Sequence, residues 1–299
     1  MDPVPRILVS GVSGPIGAAL LPSLQARGYQ VTRLVRGAAG HTQIPWDPAR
    51  PPAPESVSGF DAIIHLAGET VVGRWTAAKK ARIRDSRVLG TRNLAQALAQ
   101  ASQRPPVLIT ASAIGYYGDR GDEILREDSS PGKGFLPEVC REWEAATEAA
   151  SAAGIRTAQV RIGLVLSPVG GALQKMLTPF KLGLGGNMGN GRQWWSWIDV
   201  GDLVGAIHHI LENDRLAGPV NAVAPSPVTN AEFTKTLAGV LSRPAILPMP
   251  ALAARLAFGQ MADELLLASQ RVEPTKLMAS GYPFQHSDLK KALEDLLKR

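Results

Sequence analysis

The sequence predicts an α/β protein, a doubly wound parallel sheet followed by a smaller, mostly helical C-terminal cap. Two observations in the first half predict the sheet. Short β-branched apolar runs alternate there with segments of helical period, the pattern of successive βαβ units, which demands a parallel sheet with helices on both faces. The earliest of these runs stop at glycines, as buried parallel strands do when they feed tight turns. A change of texture after about residue 170 predicts the cap.

Taken in order, Ile7-Leu8-Val9 is a strand that halts at Gly11, and Ile16, Ala19, Leu20 and Leu24 then recur at helical spacing until Gly28. Val31 to Val35 is a second strand, Pro45 to Pro54 a loop, and Asp61 to Leu66 a third strand ending before Gly68. A helix is expected over 76–101, with Ile83, Leu94 and Leu98 on its apolar side. A strand at Val107 to Thr110, a helix over 138–153 and a strand at Thr157 to Ile162 complete the first half. Gly170, Gly171, Gly183, Gly185, Gly186, Gly189 and Gly191 then punctuate the chain. Asp199 to Asn213 reads as an amphipathic helix, with Val200, Leu203, Val204, Ile207 and Leu211 on one face. Thr229 and Glu232 have capping-box spacing, proline-bounded short helices follow, and a last helix begins after Ser287. The expected division is a sheet domain over 1–168, to which 195–222 return, and a cap region over 169–299.

Composition narrows the function. With 299 residues, 45% hydrophobic and 19% charged, the chain is neither a disordered segment nor a collagen nor a coiled coil. A net charge of +6 without a dense basic run points to small anions rather than nucleic acid. The single cysteine, Cys140, excludes an intramolecular disulfide and a cysteine-rich zinc site, and the five histidines show no metal-binding spacing. No apolar run approaches the roughly 20 residues of a membrane span, and the opening Met1-Asp2-Pro3-Val4-Pro5-Arg6 is no signal segment. The expected compartment is the cytoplasm. The sequence allows a homodimer without requiring one.

The strongest motif is Ser10-Gly11-Val12-Ser13-Gly14-Pro15-Ile16-Gly17, between the first strand and the first helix. Gly11, Gly14 and Gly17 suit a tight turn, a close backbone approach to a pyrophosphate, and close packing of helix on strand. Ser13, Pro15 and Ile16 complete a turn whose helix N-terminus favours phosphate. This is the dinucleotide-binding signature of a Rossmann domain. An NAD site carries an acidic residue about 20 positions beyond the first glycine, whereas the second strand here offers Arg33 and Arg36. A guanidinium there pairs with a 2′-phosphate that a carboxylate would repel. The expected cofactor is NADP(H), with NAD(H) second and Arg36 the better candidate for the phosphate.

These residues resemble the extended branch of the short-chain dehydrogenase/reductase superfamily, home of nucleotide-sugar epimerases and reductases. Ala67-Gly68, Arg74-Trp75, Ser86-Arg87, Ser112-Ala113-Ile114-Gly115-Tyr116-Tyr117-Gly118, Trp143-Glu144, Gly191-Arg192-Gln193-Trp194-Trp195-Ser196-Trp197-Ile198 and Asn221-Ala222-Val223-Ala224-Pro225 are similar to an atypical subfamily of NAD(P)-dependent epimerase family proteins. The resemblance implies cofactor contacts at Leu66, Ala67 and Gly68, at Glu69 and Arg87, and at Gly163 after Arg161-Ile162. It implies a substrate pocket touching Arg192, Gln193 and Trp194, for a small anionic carbonyl compound or a nucleotide sugar. Alternation puts Trp195 and Trp197 on one face of a strand and Trp194 on the other; they stack on ligand or form a core at the junction.

One departure stands out. Superfamily members use a Tyr-x-x-x-Lys pair with a Ser or Thr, the lysine lowering the phenol pKa and holding the nicotinamide ribose. None of the four tyrosines has lysine four positions on. The lysine slot falls on Cys140 and the tyrosine slot on Leu136 or Phe135. Ser112, with Ala113 the alternative for its slot, and Tyr117 or Tyr116 are the replacement proton donors expected from the sequence; the other reading has both tyrosines merely walling the pocket. Two functions follow: an NADP(H)-dependent oxidoreductase or epimerase, or a non-catalytic NADP(H)-binding sensor.

Overall fold

The computed structural model describes residues 4–37 and 40–297. Met1 to Pro3, read above for a targeting segment, lie outside the described residues. The strands are β1 (Arg6–Ser10), β2 (Gln30–Val35), β3 (Gln43–Pro45), β4 (Ala62–His65), β5 (Val107–Ala113), β6 (Ile124–Leu125) and β7 (Arg156–Ile162). They continue as β8 (Leu164–Leu166), β9 (Trp194–Trp195), β10 (Trp197–Asp199), β11 (Gly218–Ala222), β12 (Val228–Thr229) and β13 (Arg271–Val272). The helices of the first half are α1 (Pro15–Ala26), α2 (Ala77–Gln100), α3 (Phe135–Ala145) and α4 (Glu148–Ala152). Those of the second are α5 (Gly171–Lys181), α6 (Val200–Glu212), α7 (Asn230–Leu241), α8 (Ala251–Phe258), α9 (Thr275–Ala279) and α10 (Leu289–Leu297). None of the described helices is long and apolar enough to cross a membrane.

Seven strands form one sheet in the order β11-β7-β5-β4-β1-β2-β3, every pair parallel. The chain builds outward from β1 through β2 and β3, then returns to β4 and builds the other way. The reversal leaves a crevice beyond the carboxyl ends of β1 and β4, where ligands of doubly wound sheets bind. Strand alternation sorts the core: Ile7 and Val9 of β1 pack with Leu20 and Leu24 of α1 and Leu203 and Ile207 of α6. Leu8 points the other way, toward Leu94 and Leu98 of α2. This is the doubly wound Rossmann architecture the sequence predicts, with β11 at its edge, beside β7.

The cap has its own core. Trp197 packs with Leu173 and Phe180 of α5, Phe233 and Leu237 of α7 and Leu289 and Leu293 of α10. Trp195 joins that cluster and meets Phe233 edge-on at 5.2 Å. The capping box forms as expected: Thr229 Oγ1 accepts from the Glu232 N–H while the Glu232 carboxylate accepts from the Thr229 N–H. Asp199 caps α6 by accepting from the Gly201 and Asp202 N–H groups.

Three local expectations are corrected. The helix over 138–153 starts earlier and is two helices, α3 and α4. Pro137 is harmless in the first turn, where no N–H is needed, and the Thr147 hydroxyl donates back to the Glu144 carbonyl at the break, in competition with the helical ladder. The loop at Pro45 to Pro54 contains at its start the end of edge strand β3, where a proline costs no ladder bond, and at its end the start of a 3₁₀ turn, Pro54–Val57. The three tryptophans divide between two strands with different partners, β9 against β12 and β10 against β8.

Candidate active site

The crevice begins at the glycine turn. Gly11 has φ +76°, and a Cβ there would lie 2.6 Å from the Leu66 carbonyl carbon, so only glycine lets the turn press against the end of β4. A Cβ on Gly17 would lie 2.4 Å from the Gly11 oxygen, so helix and turn touch through bare backbone. Gly14 is the N-cap of α1 and supplies no side-chain cap, and the first turn holds no acidic residue. Its N–H groups and the positive end of the helix dipole are therefore left for an anion. Ser13 and Pro15 are exposed around this mouth and Ile16 is half-buried. The cap reaches it too: a Cβ on Gly170 would be 2.8 Å from Pro15 Cγ.

Arg36 is exposed just beyond β2, while Arg33 is half-buried within the strand. Under the turn, Ser10 Oγ and His65 Nδ1 join the ends of β1 and β4 at 2.6 Å, both side chains buried. Burial pushes the His65 pKa down to about 4. His65 is thus neutral in the fold but protonates below about 6.5 when unfolded, so stability is lost as pH falls from 6.5 toward 4. Between pH 7 and pH 5 this amounts to about 2 kcal/mol. Denaturant titrations of the parent and His65→Asn should narrow by that amount over the interval; an unchanged gap would show that His65 is not the group responsible.

Beyond β4, Leu66 and Ala67 are half-buried and Gly68 is exposed. Arg87 of α2 lies against Gly68, where a Cβ would be 3.3 Å from the guanidinium carbon. Its Nη1 donates to the Glu69 and Ile83 carbonyls, and the group sits 5.0 Å from the Trp143 ring centre. Glu69 is held by Lys79 at 2.6 Å; that hydrogen bond, with the charges of Lys79, Arg82 and Arg36, keeps its carboxyl below the usual range. Glu69 is thus a paired rim residue.

The two residues offered for the tyrosine slot point to different neighbours. Leu136 and Cys140, one turn apart on α3, face Gly115, where a Cβ would be 3.5 Å from Leu136 and 3.9 Å from Cys140 Sγ. Phe135 instead meets Trp75 at 5.1 Å. Both slot residues are buried, and burial pushes the Cys140 thiol up to about 12, so it is a neutral core residue.

The expected donors Ser112, Tyr116 and Tyr117 are brought together, but around a buried ion pair. Ser112 pairs with Arg161 in the β5–β7 register, and its hydroxyl donates to Glu144 Oε1 at 2.6 Å. Glu144 takes two bonds from Arg161, each 2.8 Å. Arg161 Nη1 donates to the Tyr117 oxygen at 2.9 Å, and Tyr117 donates to Asn221 Oδ1 at 2.7 Å. Tyr117 is fully buried and burial pushes its pKa up to about 12. Its hydroxyl is committed in both directions within the core. Tyr116 keeps part of its surface, with the Arg161 guanidinium 3.6 Å over its ring. Gly163, between β7 and β8, leaves no room for a side chain: a Cβ would be 2.6 Å from the Ser196 oxygen.

A cleft of about 250 Å³ opens beside this network, lined by Gly115, Gly118, Lys133, Pro137, Arg255 and Glu264 among others. Glu264, on a π-helical turn (Ala262–Leu266), accepts from the Phe135 and Leu136 N–H groups at the start of α3. Sequence reading missed Lys133 and Glu264; the Gly132-Lys133-Gly134 loop directly before the tyrosine slot was the available signal for the first. Of the expected substrate residues, Gln193 and Trp194 hold to the segment that follows Glu264. Gln193 is buried and donates to the Met188 and Leu266 carbonyls, so its amide braces the cap. Trp194 donates to Asp122 and lies 4.4 Å below Arg271, and Arg192 is exposed.

Comparison with known proteins fits this geometry. Residues 7–223 match the family model described as NAD dependent epimerase/dehydratase family. The chain belongs to that family. Residues 249–296 match a second model, a domain of unknown function. An epimerase family protein of Mycobacterium tuberculosis is 41% identical over 290 residues, covering 96% of each chain. Human epimerase family protein SDR39U1 is 38% identical, covering 98% of this chain and 99% of its own. The crystal structure of its isoform 2 with NADPH superposes with a TM-score of 0.91 at 36% identity, over 98% of this chain and 99% of that one. A Bacillus cereus UDP-N-acetylglucosamine 4-epimerase, 17% identical with a TM-score of 0.75, shares the fold.

Proposed function

We propose that this epimerase-family chain binds NADP(H) across the crevice and works as an oxidoreductase or epimerase on a small carbonyl compound or nucleotide sugar. The carrying observation is the glycine turn, which opens onto an uncapped, acid-free helix N-terminus with Arg36 beyond the neighbouring strand. Turn and helix fit a pyrophosphate, and the guanidinium fits an added phosphate. The NADPH in the human relative's crystal structure supports the choice of coenzyme. When bound, that coenzyme supplies hydride chemistry.

The chain's own part is to orient, exclude water and move a proton. Backbone N–H groups of the α1 first turn hold phosphate, and Arg36 takes the 2′-phosphate. Leu136 and Cys140 present an apolar wall where the superfamily has its relay. Of the donors named from sequence, Tyr116 alone keeps surface and is the one for proton transfer. Lys133 and Arg255 line the neighbouring cleft and favour an anionic substrate.

The commitment of Ser112 and Tyr117 to the buried network favours a second reading, an NADP(H)-binding sensor without turnover. Incubation with NADPH and a panel of carbonyl compounds and nucleotide sugars separates the two. Turnover that falls at least about ten-fold in Tyr116→Phe supports the enzyme. Tight NADPH binding with no oxidation or isomerisation of any panel member supports the sensor.

A further inference from the structure

We propose that one surface of the cap, made by the paired runs 182–189 and 245–249 and by helix α8, docks on an anionic membrane surface.

Large apolar side chains gather here in contact with water. Leu182, Leu184, Ile246, Leu247, Leu252 and Leu256 are each more than half exposed. Among the described residues, the other large hydrophobes exposed to that degree are Val4, Val169 and Met278, far apart in the chain. Scattered single residues of that kind are ordinary, whereas a cluster marks a contact surface.

Backbone pairing builds the cluster. The Leu247 N–H donates to the Gly185 carbonyl and the Met249 N–H to the Asn187 carbonyl, while Leu184 bridges Ala245. A Cβ on Gly186 would strike the Leu247 carbonyl, so the close approach of the two runs requires glycine. The root of the pair rests on α5, where a Cβ on Gly185 would be 2.8 Å from the Phe180 ring. Beyond that root, Ile246-Leu247-Pro248-Met249-Pro250 is exposed throughout. Pro250 then leads into α8, whose only buried residue is Ala254. Leu252 and Leu256 stand one turn apart on the exposed side of that helix. The fold leaves this apolar area hydrated, and a second surface can recover the cost.

Charge says what that surface is. Residues 163–198 and 233–262, which carry the paired runs and α8, hold Lys175, Lys181, Arg192, Lys235, Arg243 and Arg255 but no aspartate or glutamate. Arg255 is paired with Asp263. Lys181 and Arg243 are exposed beside the runs, linked by an Arg243 Nε bond to the Lys181 carbonyl at 3.1 Å. A two-fold contact with a second copy would press two net-positive patches together. A bilayer with anionic headgroups satisfies both features at once: headgroups take the cations, and the interface takes the leucines. Helix α8 has eight residues, too few to span, so the contact is interfacial.

Vesicle co-sedimentation of the full chain tests this. One set of vesicles is phosphatidylcholine alone, and the other is equal parts phosphatidylcholine and phosphatidylglycerol. Binding to the mixed vesicles should be about ten-fold tighter or more, and should weaken as salt rises. The pair Leu252→Glu and Leu256→Glu should lower it by about ten-fold or more, with an unchanged melting temperature because both sites are exposed. The pair Lys181→Glu and Arg243→Glu should do the same. Met278→Glu, exposed on α9, should bind like the parent. Ile246→Asp should repeat the leucine loss, and it decides the matter if the helix variant melts early. No binding to mixed vesicles, equal binding to both kinds, or binding that survives the leucine and Ile246 changes would overturn the proposal. So would a dimer in sedimentation velocity that the leucine pair abolishes while vesicles bind nothing, since a second copy would then cover the surface.

Discussion

Replacing Glu144 with alanine is expected to destabilise the fold by about 3–5 kcal/mol, the range for removing one partner of a buried ion pair. Arg161 is 2% exposed and has no route to water. Without Glu144 its guanidinium loses both short bonds and retains only the Tyr117 oxygen and the Glu127 carbonyl, while the Ser112 hydroxyl loses its acceptor. Replacing both Glu144 and Arg161 by leucine should cost much less than Glu144→Ala, because two apolar groups leave no charge stranded. Urea denaturation of the three proteins measures this. A Glu144→Ala loss below about 1 kcal/mol would place the pair in a far wetter setting than its burial indicates.

Arg36→Asp should reverse the coenzyme preference. Loss of a charge-assisted pair with the 2′-phosphate, at 1.5–3 kcal/mol per bond, lowers NADPH affinity by about ten- to hundred-fold, and the new carboxylate repels the same phosphate. It also offers a ribose 2′-hydroxyl an acceptor, so NADH affinity should hold or rise. Because Arg36 is exposed, the substitution should leave thermal stability unchanged. An unaltered NADPH-to-NADH ratio would move the phosphate contact to Arg33 or elsewhere.

Local chemistry is what the sequence makes legible. The turn from Ser10 to Gly17, the apolar strands β1, β4 and β5 and the Thr229–Glu232 box all depend on residues within a few positions of one another, and each forms as read. What escaped depends on partners far away in the chain. Strands β6 and β13 are two residues each and exist only because Ile124–Leu125 meets Arg271–Val272. Tyr117 reads as a loop tyrosine; its burial follows from Arg161 and Asn221, 44 and 104 positions away. Gln193 has the look of a pocket residue until Leu266, 73 positions on, takes its amide. The absent Tyr-x-x-x-Lys pair was evident from the letters alone, whereas Arg87 beside Gly68 and Cys140 required the packing of α2 on the sheet.

Calorimetric titration of the unmodified chain with NADPH, and separately with NADH, bears most directly on the dinucleotide crevice. A saturable one-site isotherm is expected for NADPH, tighter than NADH by about ten-fold or more, as a single charge-assisted phosphate contact requires. The absence of binding heat with either coenzyme over a range of temperatures would contradict it.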